Sequence, residues 1–131
     1  MIDIHIKSIP VSEMRIPGSL GDYWYEGDAL EVRVAEYGNT DYETLIAVHE
    51  VIEEWLTKRR GLSEPEIQAF DDMWDKEQQA GKHGGDMDEP GFDSRCPCLR
   101  EHTIADAIER VLIAHCGMDI NTYNDATLAL E

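Results

Sequence analysis

Histidine and carboxylate recur at helical spacing in two separate stretches of this chain, and the chemistry open to it follows from them. The first stretch is "AVHEVIEEWLTKRRG", residues 47–61, which carries His49, Glu50 and Glu53 in one apparent helix. Side chains four residues apart stack on one helical face, so His49 and Glu53 can grip a single ion. The H-E-x-x-E pattern has the shape of the zincin H-E-x-x-H helix, where two ligands sit one turn apart and the intervening Glu is a general base. Here the second ligand is Glu53, and a carboxylate lowers the positive charge that acidifies a bound water. The bland alternative is a salt-bridged Glu53 beside a hydrogen-bonded core histidine, since buried carboxylates are rare unless paired.

On a wheel of about 100° per residue, Leu45, Val48, Val51, Ile52, Trp55 and Leu56 share an apolar arc. His49 and Glu53 fall between Leu56 and Ile46 and are expected to point inward. Glu50 lies at the edge, and Glu54 is expected to face water. The second stretch is "REHTIADAIERVLIAHC", residues 100–116. There Ile104, Ile108, Val111 and Leu112 form the apolar arc, with His115 inside it as a core residue. His102, Asp106 and Glu109 form a stripe beside it, or else an ordinary polar flank with internal ion pairs.

Together the two stretches suggest a site in which His49, Glu53 and His102 bind zinc and leave one position open. Glu50 would take a proton from the bound water. Glu109 would be either a fourth ligand or an outer group orienting His102. A two-metal carboxylate centre lacks the Glu-x-x-His repeats it would need.

Several weaker patterns complete the inventory. Cys96, Cys98 and His102 read as C-x-C-x-x-x-H, which Cys116 would have to complete as a zinc set; free loop cysteines are the simpler reading. "GDMDEPGFD" puts Asp86, Asp88 and Gly91 at calcium-loop positions one, three and six. The twelfth position is Pro97 in place of the bidentate Glu, so an EF-hand fails. Phosphate-cradling glycine loops and G-x-S-x-G elbows are missing. Trp24, Trp55 and Trp74 read as core or edge aromatics.

The elements that must position these groups are legible from period and punctuation. "IDIHIKSI" and "LEVRVAEY" alternate as half-buried strands, and "DYWYEGD" adds a strand with Gly27 and Asp28 as a hairpin turn. A small, largely antiparallel sheet is expected over residues 1–37. Thr40 and Glu43 form a capping-box pattern for a helix over 40–60, stopped by Gly61, with Lys58, Arg59 and Arg60 at its negative end. Ser63, Pro65 and Glu66 open a helix over 64–80. Residues 81–98 form a long acidic loop, and a further helix covers 99–116 before Gly117. A short helix is expected within "NTYNDATLAL". The fold class is therefore α+β: one domain over 1–131, with the first helix laid on the sheet in a zincin-like manner.

The 131 residues suffice for one core, and 42% hydrophobic content excludes a disordered chain. A net charge of −17 disfavours nucleic acid; its bland reading is solubility alone, and it would also suit a basic protein partner or a protein that imitates the charge of DNA. The beginning "MIDIHIKSIP" has no basic region and no long apolar run, so neither a signal peptide nor a membrane span is expected. Three cysteines, two of them separated only by Pro97, make no disulfide framework; a reduced, cytoplasmic setting is expected.

"DYWYEGDALEVRVAE", "LIAVHEVIEEWLTKRRGLSEPEIQAFD", "DEPGFD" and "REHTIADAIERVL" together resemble a group of small phage and prophage proteins without an established activity. The resemblance covers most of the chain. It implies a viral setting, in the cytoplasm of a host cell, and supports reading His49, Glu50, Glu53, His102 and Glu109 as one unit. Two functions remain open. One is a peptidase-like, zinc-dependent hydrolase; the other is a non-enzymatic acidic accessory protein that binds a host or defence protein, with a structural metal or none.

Overall fold

A computed structural model describes residues 1–84 and 89–130. Strands β1 (Ile4–Ile9), β2 (Gly21–Glu26) and β3 (Ala29–Ala35) come first. Helices α1 (Thr40–Arg60), α2 (Glu64–Gln79), α3 (Leu99–His115) and α4 (Ile120–Leu130) follow. This is the α+β order that the change of period at "YGN" predicts.

The sheet runs β1-β3-β2. β2 and β3 form the expected antiparallel hairpin, whose turn needs the positive φ of 61° that Gly27 supplies. β1, however, pairs with β3 in parallel, Ile4 opposite Leu30 and Ile9 opposite Ala35, so the sheet is mixed. Alternation tells which face of a strand is buried and carries no information about its partner's direction. The chain from Pro10 to Leu20 passes to the far edge before the hairpin returns β3 to the centre.

The helix ends follow local chemistry. α1 covers the expected 40–60, but its cap is one residue earlier than the Thr40/Glu43 pattern places it. Asn39 is its cap, its side-chain oxygen accepting from the backbone of Asp41 and Tyr42, while Glu43 accepts from Tyr37 N–H. Gly61, at φ 80°, ends it as expected. α2 opens on a true capping box between Ser63 and Glu66.

α1 lies across β2 and β3 on one side and packs along α3 on the other. Leu30, Val32, Val34 and Ala47 fill the space between sheet and helix. Leu45, Ile113 and Tyr123 join α1, α3 and α4, while Phe70, Trp74, Cys96 and Cys98 form a separate cluster under α2. Having neighbours on two sides overturns parts of the wheel reading. Glu54 is buried, bonded by the Tyr25 hydroxyl, and Trp55 is 58% exposed. Val48, Val51 and Ile52 line an open groove of about 480 Å³ against Ile4 and Ile6. On α3 the apolar residues Ile104 and Val111 are exposed, and so is His115. The buried face instead carries Glu101, Ala105, Glu109 and Ile113. The α1–α3 seam is thus largely polar, which a single-arc wheel does not anticipate. Among the described residues, no helix is long and apolar enough to cross a membrane.

Candidate metal centre

The polar seam brings three donor atoms from two helices to one point. His49 Nε2 lies 3.0 Å from Glu53 Oε2 and 3.2 Å from His102 Nδ1. His102 Nδ1 closes the triangle, 3.0 Å from the same Glu53 oxygen. The i, i+4 spacing supplies the first contact; docking of α3 supplies the other two. Ala105, fully buried one turn beyond His102, has only a methyl group to hold the helices apart.

The triangle fits a cation. Four ligands at about 2.0–2.1 Å around tetrahedral zinc are separated by roughly 3.3 Å, within a few tenths of the three edges seen here. Two imidazoles and one carboxylate are a donor set that zinc accepts. His49, Glu53 and His102 form the group of potential ligands among the described residues that could hold a metal ion. The Glu53 and His102 side chains keep 12% and 16% exposure, so solvent reaches the cluster from that side.

Glu109 stands behind His49. Its Oε1 lies 3.1 Å from Nδ1, in ion-pair range without hydrogen-bond alignment, and Nδ1 is otherwise an unpartnered buried atom. A small rotation of the carboxylate would fix the tautomer that presents Nε2 to an ion. Of the two expectations for Glu109, an outer orienting group matches this place, but the ring it faces belongs to His49 and not to His102.

His102 is held by a different device. A β-carbon on Gly91 would come within 2.5 Å of the His102 Cδ2 and Nε2 atoms, so the Pro90–Phe92 turn presses bare backbone against the ring. Phe92 meets the same ring edge-on, centroids 4.8 Å apart. Glu50 is outside the triangle but near enough for its charge to interact with those of Glu53 and His49. Its carboxyl packs against Gly21 of β2, where a β-carbon would collide with Oε1.

Charge in the cluster is unbalanced. Burial opposes ionisation of Glu53, but hydrogen bonds from His102 and His49 outweigh it and bring its pKa down to about 2. Burial likewise opposes a charge on His49, and the flanking Glu109 and Glu53 carboxylates override it, pushing His49 up to about 11. Glu50 is pushed up to about 8, first by burial and then by the charge of Glu53. Glu89 is also raised by burial, and Asp71 reaches about 6 through burial and the nearby Glu53. Glu50, Glu53, Glu89 and Glu109 surround two imidazoles, a site short of positive charge.

Some sequence expectations do not converge here. Asp106 pairs with Arg110 at 2.9 Å and stays outside the cluster. Cys96 and Cys98 face each other and not His102, whose Nδ1 is taken up with Glu53 and His49. Cys116 is exposed at the opposite end of α3, about 25 Å from its start, so the cysteine–histidine zinc set is not assembled. Of the calcium-loop pattern, Asp86 and Asp88 lie outside the described residues. Gly21, Glu89 and Phe92 carry no spacing signal, and spacing marks Gly91 only as position six of the calcium-loop pattern, because a glycine that makes room for another residue's side chain leaves no periodic trace. Compared with protein-family models, curated proteins and solved structures, the chain matches none.

Proposed function

We propose that the chain is a small metal-dependent hydrolase, peptidase-like by its zincin-like helix, with zinc held by His49, Glu53 and His102. The observation that carries this reading is the mutual approach of their three donor atoms to 3.0–3.2 Å. Zinc bound by protein ligands supplies Lewis acidity, lowering the pKa of a water toward about 7. His49, Glu53 and His102 would hold the ion, Glu109 faces the far nitrogen of His49 and would orient it after a small rotation, and Gly91 with Phe92 keeps the His102 ring from turning. Glu50, near the cluster but outside the triangle, takes and returns a proton. Its raised pKa suits transfer near neutral pH, and an added divalent charge would draw it back down.

The resemblance to phage proteins supports a host-cell cytoplasmic setting. A second reading, a non-catalytic accessory protein engaging a basic host or defence protein, is favoured by the charge of −17. In that case the metal would join α1 to α3. The two separate in one experiment: zinc-loaded protein is incubated with a pool of unstructured peptides, with and without chelator. Hydrolysis that the chelator stops, and that Glu50→Gln reduces about 100-fold or more with zinc retained, supports the enzyme. Bound zinc without any cleavage supports the accessory role.

A further inference from the structure

Cys96 and Cys98 belong to no part of the proposed metal centre, yet both are buried with their sulfur atoms 3.0 Å apart. We propose that these two residues form a peroxide-oxidisable dithiol that closes reversibly into an intrachain disulfide.

The sulfurs are already in contact, and closing to a bond of roughly 2.05 Å requires about 1 Å of movement. The backbone around them is pinned. Cys96 N–H donates to Asp93 O at 2.9 Å, Leu99 N–H to Cys96 O at 3.2 Å, and His102 N–H to Cys98 O at 2.9 Å. Arg60 Nη2 donates to the intervening Pro97 carbonyl at 2.6 Å. Phe70 and Trp74 pack with the pair. Two cysteines serving only as small apolar fillers would not need their sulfurs turned toward each other. A metal role is poorly supplied, because no third His, Cys, Asp or Glu donor joins them among the described residues.

Either sulfur can donate the hydrogen bond between them, so whichever thiol ionises first is stabilised by the other. The thiolate is the attacking species, here that of Cys96. Its thiolate attacks one oxygen of hydrogen peroxide, the O–O bond breaks, and the departing hydroxide leaves as water after taking a proton. Cys96 becomes a sulfenic acid, and its negative charge no longer suppresses ionisation of Cys98. Cys98 then attacks the Cys96 sulfur, the S–O bond breaks, and a second water departs. Two thiols and one peroxide give one disulfide and two waters, with two electrons passing from sulfur to peroxide. A dithiol reductant reverses the step.

The test uses the full chain carrying Cys116→Ser, which removes the exposed third thiol. Protein is treated with one equivalent of hydrogen peroxide, alkylated, and cut after Arg95 and Arg100 to release a peptide holding both cysteines. The expected product lacks two hydrogens, resists alkylation and regains both alkylation sites after reduction. In a Cys98→Ser variant, where no second thiol can close the bond, dimedone should trap Cys96 as a sulfenic acid. Two alkyl groups on the peroxide-treated peptide, or separate oxygen additions at both sulfurs, would overturn the proposal. That readout needs no substitution at either cysteine, so a folding defect in the variants leaves it intact.

Discussion

Glu53 of α1 and His102 of α3, 49 residues apart in the chain, meet with Oε2 3.0 Å from Nδ1. No local preference sets such a contact; it exists because the polar faces of two helices are docked against each other. With His49 added, two imidazoles and one carboxylate converge where ordinary packing would place apolar side chains. Such a seam is costly unless its groups satisfy one another or a cation. Occupancy of the site and stability of the fold are therefore linked.

The first prediction follows from that linkage. Zinc added to metal-free protein at about 100 times its dissociation constant should stabilise the fold by about 2.7 kcal/mol. Thermal unfolding with zinc and with chelator measures this as a rise in Tm of several degrees. Unchanged Tm would mean that the native state has no site for the ion.

Glu109 should act on the metal through His49. Glu109→Gln keeps the size of the side chain and loses its charge, so folding should persist while zinc affinity drops about 10-fold or more. A competition titration against a chromophoric chelator reads the difference. Undiminished affinity would reduce Glu109 to a bystander.

The pH dependence of the metal-free protein has a definite sign. Glu50 is raised to about 8 in the folded chain, so its protonated form is favoured there. The contribution is present at low pH and is lost as pH rises from the usual carboxylate range through about 8. His49, raised to about 11, adds a contribution that is full below 6.5 and lost as pH rises through about 11. Glu53, lowered to about 2, is stabilising above the ordinary carboxylate range and loses this as pH falls through about 2. Denaturant titrations should therefore show stability declining between pH 5 and pH 8 (approximate bounds), and Glu50→Gln should flatten that decline. An equal slope in both proteins would remove Glu50 from the account.

Gly91→Ala tests the clamp on His102. The new methyl group would meet the ring at 2.5 Å, so either the turn or the imidazole must shift. The expected cost is about 1–3 kcal/mol of stability, together with weaker zinc binding. Chemical denaturation and the same competition titration would report both. Substitution at Gly38, whose β-carbon would meet nothing, is the control for altering a loop glycine, though its φ of 72° brings backbone strain of its own.

Much of this arrangement was readable from residue order. The alternation in β1 and β3, Ser63 with Glu66, and Gly61 all act locally, and the structure follows them. His49 and Glu53 share a helical face by spacing alone, and the stripe holding His102 and Glu109 was visible in the same way. What could not be read is set by tertiary packing. β1 runs parallel to β3, the apolar arcs of α1 and α3 turn partly outward, and Glu54 finds Tyr25 in place of water. Asp106, by contrast, pairs with Arg110 one turn along its own helix, the local ion pair that the sequence offered as the alternative for this stripe. Gly21 and Gly91 matter through the side chains they make room for, and that relation has no sequence period.

The most direct test of the central claim is elemental analysis of untagged native protein, repeated for His49→Ala, Glu53→Ala, His102→Ala and Glu50→Gln. The account predicts one zinc per chain in the parent and in Glu50→Gln, falling close to zero in each of the other three. A parent chain that holds no stoichiometric metal even when supplied with zinc, or metal content indifferent to those three substitutions, would contradict it.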